Sequence, residues 1–158
     1  MDHVILLTDC FPYRQNSYEY FLETEIAVWA ERFHGKLTIV PAAIGEEGFE
    51  LPSNIEVDDT LARRTGLAVK FLWVFRALLS PLFLRELCEL RRRKKLCLRC
   101  LWTACSSLAR VLRTRKRLQE CLHSRREPVV IYSYWLDVSA YAAALLKSER
   151  KITSLVSR

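Results

Sequence analysis

His3-Val4-Ile5-Leu6-Leu7-Thr8 is the stretch on which the fold turns. It is mostly apolar without alternation, the pattern of a strand buried on both faces in the middle of a parallel sheet. Beyond it the period changes. After a loop from Asp9 to Asn16 that contains Pro12, a helical pattern begins at Ser17: Phe21, Leu22, Ile26, Trp29, Ala30 and Phe33 fall at helical spacing, and Gly35 supplies a stop. Lys36-Leu37-Thr38-Ile39-Val40-Pro41 reads as a second buried strand. Asn54-Ile55-Glu56-Val57 reads as a short third, after a loop from Gly45 to Ser53. A long helical stretch is predicted from about Leu61 to Leu122, broken at Pro81 and near Arg92 to Lys95. Val129-Val130-Ile131-Tyr132 is a fourth strand, Leu136 to Ser148 a helix, and Lys151 to Val156 a fifth strand. Such alternation of strands and helices predicts an α/β, Rossmann-like three-layer sandwich with a parallel sheet, and a long helical insertion before the fourth strand. Its last strand has no following helix, so the expectation is a single domain over residues 1–158 cut from a longer protein.

The composition agrees with one globular domain. The chain has 158 residues, 51% of them hydrophobic and 27% charged, which places it away from disordered sequences. Its N-terminus lacks a basic start and the apolar run stops at Thr8-Asp9, so it reads as a strand rather than a secretion signal. A cytoplasmic protein with its six cysteines as thiols is the expectation. The net charge of +7 is unevenly spread. Residues 1–60 hold 3 Lys/Arg and 12 Asp/Glu, net −9; residues 61–126 hold 18 and 3, net +15; residues 127–158 hold 4 and 3, net +1. The basic helical segment 61–126 therefore points to an anionic surface.

In an open parallel sheet, ligands sit beyond the carboxyl ends of the strands, where the strand order reverses. For an order 3-2-1-4-5 the reversal lies between the first and fourth strands. The loops leaving them carry Tyr13, Arg14, Gln15, Asn16 and Ser17 on one side and Ser133, Tyr134, Trp135 and Asp137 on the other. These residue types hold sugars and phosphates through ring stacking and hydrogen bonds. The residues nominated for substrate binding are Tyr13, Arg14, Asn16, Ser133, Tyr134 and Trp135.

Two strings then stand out: Leu7-Thr8-Asp9-Cys10-Phe11-Pro12-Tyr13, continuing to Phe21-Leu22-Glu23-Thr24-Glu25-Ile26, and Ile131-Tyr132-Ser133-Tyr134-Trp135-Leu136. With the terminal Val156-Ser157-Arg158 they resemble the N-terminal domain of family 4 glycosyltransferases, particularly bacterial enzymes of polysaccharide assembly. The resemblance implies one half of a GT-B architecture, in which two Rossmann-like domains face a cleft. It implies retaining transfer of a hexosyl group from a nucleotide-sugar donor, without a bound metal or other cofactor. The N-terminal domain would hold the saccharide or lipid-linked acceptor, and the catalytic residues would lie beyond residue 158, leaving this piece inactive alone. The loop after the first strand departs from the family in having no glycine across Arg14-Gln15-Asn16-Ser17-Tyr18.

Residues 66–84 are apolar apart from Lys70, Arg76 and Ser80, but two cations and Pro81 argue against a membrane span. Helices lying on an anionic leaflet fit better, with Phe71, Trp73, Phe75 and Phe83 toward lipid. Arg91, Arg92, Arg93, Lys94 and Lys95, together with Arg113, Arg115, Lys116 and Arg117, would supply the attraction. This predicts a protein peripheral to the inner face of the cell membrane. Cys97-Leu98-Arg99-Cys100 has the spacing of half a zinc site, but Cys88 and Cys105 do not complete it, so these read as incidental helix cysteines without a metal. No P-loop or GxGxxG is present. The alternative reading is a basic helical nucleic-acid-binding or non-catalytic interaction domain; aromatic residues after the fourth strand have no purpose in a protein that binds only through its helices.

Overall fold

The computed structural model describes residues 3–14, 19–33, 35–45, 47–123, 125, 128–149, 152 and 154–157. In chain order the elements are β1 (His3–Thr8), β2 (Tyr13–Arg14), α1 (Phe21–Arg32), β3 (Lys36–Pro41), β4 (Glu47–Gly48), β5 (Ile55–Val57), α2 (Leu67–Leu78), α3 (Pro81–Arg92), α4 (Leu98–His123), β6 (Val129–Ser133), α5 (Val138–Ser148) and β7 (Ser154–Ser157). Five strands form a parallel sheet in the order β5-β3-β1-β6-β7. In the order in which these strands occur along the chain, that is 3-2-1-4-5, and the reversal falls between β1 and β6.

The pleat of β1 explains why its six residues show no alternation. Ile5 and Leu7 face one side and pack with Val129, Ile131, Leu118 and Leu146, under α4 and α5. Leu6 faces the other and packs with Leu22, Ile26 and Ile39, under α1. Both faces are covered, so both sets of side chains must be apolar. Even the polar His3 and Thr38 are buried, and they satisfy one another across β1 and β3 at 2.8 Å.

Several boundaries differ from the sequence reading. The helical stretch begins at Leu67 rather than near Leu61. Leu61 is 6% exposed in the core, and the Arg117 guanidinium holds the segment 61–65 by donating to the Leu61 carbonyl (2.8 Å) and the Thr65 hydroxyl (2.7 Å). The break at Pro81 is present, with Ser80 capping α3 through the Phe83 N–H. The second break is made by Lys94, whose φ of 55° ends α3. The expected loop 45–53 contributes β4, which pairs antiparallel with β2. Gly45 permits this approach: a Cβ there would stand 3.0 Å from Tyr13 Cβ and 3.1 Å from the Arg14 carbonyl oxygen. The helix after β6 starts two residues later than read, because Asp137 caps it by accepting from the Ser139 and Ala140 N–H groups.

No single helix among the described residues is long and apolar enough to cross a membrane. α2 and α3 meet that test only as a pair, and they are bent by 64° at the break between them.

Candidate ligand-binding cleft

The loops leaving β1 and β6 meet at the carboxyl edge of the sheet, and the residue that joins them is Glu19. It is 1% exposed. Its Oε1 accepts the Asp9 N–H at 2.9 Å and the Trp135 indole N–H at 2.7 Å. Its Oε2 accepts the N–H groups of Cys10 at 2.9 Å and Phe11 at 2.8 Å. A carboxylate with four charge-assisted hydrogen bonds fixes the course of the β1 loop and the position of one aromatic ring at once. The sequence analysis did not single out Glu19. Its signal is faint: a lone acid just before a helix looks like ordinary first-turn chemistry.

Trp135 is therefore held at its N–H end. Phe21 and Tyr134 pack edge-on to it with ring centroids at 6.3 and 5.6 Å. It remains 36% exposed, a fixed ring with open surface. Tyr134 is 7% exposed and its hydroxyl donates to Glu25 Oε1 at 3.2 Å, so its ring supports Trp135 from the core side. Ser133 is 1% exposed and its hydroxyl donates to the Trp135 carbonyl at 2.8 Å, shaping the turn out of β6. Tyr13 donates to both carboxylate oxygens of Asp59 at 2.9 Å, tying the β1 loop to the segment after β5. Burial and that carboxylate raise its phenol pKa. Arg14 is exposed, with its guanidinium 4.8 Å from the Phe49 ring centroid and 4.0 Å from Glu47. Asn16, with Gln15 and Ser17, lies outside the described residues.

The cleft also carries charge beyond the Asp137 that the sequence analysis placed in it. Asp9, at the end of β1, is exposed, and its pKa is raised by partial burial and by the carboxylates of Glu19 and Asp137. The Cys10 thiol and the Arg110 guanidinium act in the opposite direction. Arg110 stands on α4, so the basic helical segment contributes a cation to the edge of the cleft. A carboxylate at this position can accept hydrogen bonds from hydroxyl groups. No group of three or more metal-ligating side chains is present among the described residues.

The basic residues nominated for a membrane surface divide. Arg91, Arg92, Arg93, Lys94 and Lys95 are all exposed at the end of α3 and after it, with Arg92 and Arg93 paired to Glu89. On α4, Arg115 binds Glu149 at 2.5 Å and Arg117 holds the 61–65 segment, while burial and neighbouring arginines lower the pKa of Arg113. Lys116 is exposed beside Glu120 at 3.9 Å. Cys97 stands immediately before α4, rather than within a helix, and Cys100 in its first turn. All six cysteines are thiols. A scan against protein-family models, a search of curated proteins and a search of solved structures each return no match to this chain.

Proposed function

We propose that the chain is the acceptor-side domain of a sugar-nucleotide glycosyltransferase and that it holds a saccharide at the carboxyl edge of its sheet. The carrying observation is the joining of the β1 and β6 loops by Glu19, which leaves Trp135 fixed and partly open at the reversal of strand order. A rigid aromatic ring flanked by hydroxyl-binding carboxylates is the chemistry that a sugar needs: an apolar face for its C–H groups and acceptors for its hydroxyls. Asp9 and Asp137 supply those acceptors, and Arg110 supplies a cation at the edge for an anionic group. The resemblance of the Leu7–Tyr13 and Ile131–Leu136 strings to family 4 glycosyltransferases supports transfer from a nucleotide-sugar donor with retention. In this reading the donor and the transferring residues belong to a second α/β domain that would close over the cleft and exclude water.

Saturation-transfer NMR of the chain with a panel of hexosides and N-acetylhexosaminides tests the reading. Transfer to at least one glycoside is expected, abolished by Trp135→Ala and unchanged by Trp102→Ala, whose ring is 62% exposed on α4 away from the cleft. No transfer to any member of the panel, or transfer that persists in Trp135→Ala, would remove the assignment.

A further inference from the structure

The helices between β5 and the sheet-packed part of α4 present a surface that the cleft does not use. α2 rests on α4 by one side only, where Trp73, Val74 and Ala77 meet Cys105, Leu108 and Ala109. Its other side carries Leu67, Phe71, Phe75 and Leu78, at helical positions i, i+4, i+8 and i+11, flanked by Leu72 and Leu79. These six side chains are between 43% and 73% exposed. By helical geometry Arg76 borders this apolar arc, while Lys70, exposed in the first turn of α2, shares the azimuth of Trp73, Val74 and Ala77. Leu84 on α3, and Leu98 and Trp102 at the start of α4, are 57%, 86% and 62% exposed. An unbroken apolar arc of this size on a surface helix marks an interaction site.

Charge decides the occupant. Residues 66–104 hold 9 Lys/Arg and 2 Glu, net +7, so the apolar arc lies in a strongly cationic setting. A second copy seated on the same face would bring two such sets of cations together. A nucleic acid would satisfy the cations but gain nothing from buried phenylalanines. An anionic bilayer surface satisfies both, with lipid phosphates at the cations and acyl chains at the apolar arc. The 64° bend between α2 and α3 suits helices lying in the interface rather than one rod crossing it.

We propose that the bent α2–α3 pair is a membrane-docking device that seats the chain on an anionic leaflet. Leu67, Phe71, Phe75 and Leu78 enter the acyl boundary, while Arg76 and the run Arg91–Lys95 meet lipid phosphates. Arg115 and Arg117 take no part, because their guanidinium groups hold Glu149 and the 61–65 segment. The proposal stands apart from the saccharide reading, and either can fail without the other.

Co-sedimentation of the chain with phosphatidylcholine vesicles, with and without phosphatidylglycerol, tests it. Binding at least about tenfold tighter to the phosphatidylglycerol vesicles is expected, since each cation near such a surface contributes on the order of 1 kcal/mol. The double variant Phe71→Ser/Phe75→Ser should lose most of that binding at unchanged net charge. Both side chains are more than half exposed, so the variant is expected to keep the wild-type circular dichroism and melting temperature. Equal vesicle binding by the double variant and the wild type would overturn the proposal and leave only a general polyanion patch, as would binding of single-stranded RNA tighter than of vesicles. A dimer in sedimentation velocity that the double variant dissolves, with no vesicle binding, would overturn it in favour of a second copy on this face.

Discussion

Glu19, Trp135 and the N–H groups of Asp9, Cys10 and Phe11 form one unit, because a single buried carboxylate accepts all four hydrogen bonds. Replacing Glu19 with Gln substitutes an NH2 donor for one accepting oxygen and faces it toward another donor. The charge assistance is lost as well, so Glu19→Gln is expected to lower stability by about 2–3 kcal/mol, read from the urea midpoint. Trp135→Phe removes one donor and leaves the backbone bonds intact, for an expected loss of about 1 kcal/mol. Equal losses in the two variants would show that Glu19 acts through Trp135 alone. None of this was legible along the chain: Glu19 bonds residues eight to ten positions before it and one 116 positions after it, and no periodicity encodes either distance. The aromatic run Tyr132-Ser133-Tyr134-Trp135 was legible as a group. Its division of labour was not, since the turn out of β6 buries Ser133 and Tyr134 and leaves Trp135 part open.

Helix starts carry the next level of chemistry. Asp137 caps α5 and Ser80 caps α3, both by local side-chain acceptance of amides whose partners precede the helix. Cys97 does the same for α4: its sulfur accepts the Cys100 N–H at 3.4 Å. Hydrogen bonds from the Cys100 backbone and thiol, outweighing the small effect of burial, lower the Cys97 pKa. Burial together with neighbouring carboxylates pushes Cys10 up to about 11. Burial likewise pushes Cys121 up to about 12, against the Arg125 charge. Because the thiolate is the reacting form, Cys97 should be the first cysteine alkylated by iodoacetamide near neutral pH, with Cys10 and Cys121 the last, as read by peptide mass spectrometry over time. Labelling of Cys121 ahead of Cys97 would contradict these environments. The sequence places a break near Arg92 to Lys95 but not the first residue of the helix that follows, because the spacing of Cys97 and Cys100 is the same inside a helix and at its start. Only the left-handed turn at Lys94, which ends α3, places Cys97 outside.

Across the whole molecule the chain must close the long passage from β5 to β6, and a cluster around Asp58 ties its two ends. Asp58 follows β5 and receives Thr60, the Cys121 thiol at 3.2 Å and the Arg125 guanidinium at 3.1 Å. Partial burial opposes its charge, but the hydrogen bonds from Thr60, Cys121 and Arg125 outweigh it and hold Asp58 at about 2. A carboxylate whose pKa is depressed in the folded state adds stability that is present in full above the usual carboxylate range and lost as pH falls toward about 2. Acid titration of the melting temperature should therefore fall less steeply between about pH 4 and pH 2 in Asp58→Asn than in the wild type; identical slopes would dissociate this cluster from acid stability. At this scale the sequence by itself determined the most. Uniformly apolar strands can be buried only in a sheet covered on both faces, so the α/β sandwich followed from His3–Thr8, Lys36–Pro41 and Val129–Tyr132, whereas the strand order, and with it the reversal between β1 and β6, was decided by the tertiary structure. The concentration of cations in residues 61–126 was equally plain. The tertiary structure alone decided which of those cations are used up within the fold, which face of α2 is left uncovered, and that Glu19 joins the two loops of the cleft. Local propensity and periodicity are set by neighbours in the chain, whereas burial and hydrogen-bond partnership depend on residues brought together from far apart.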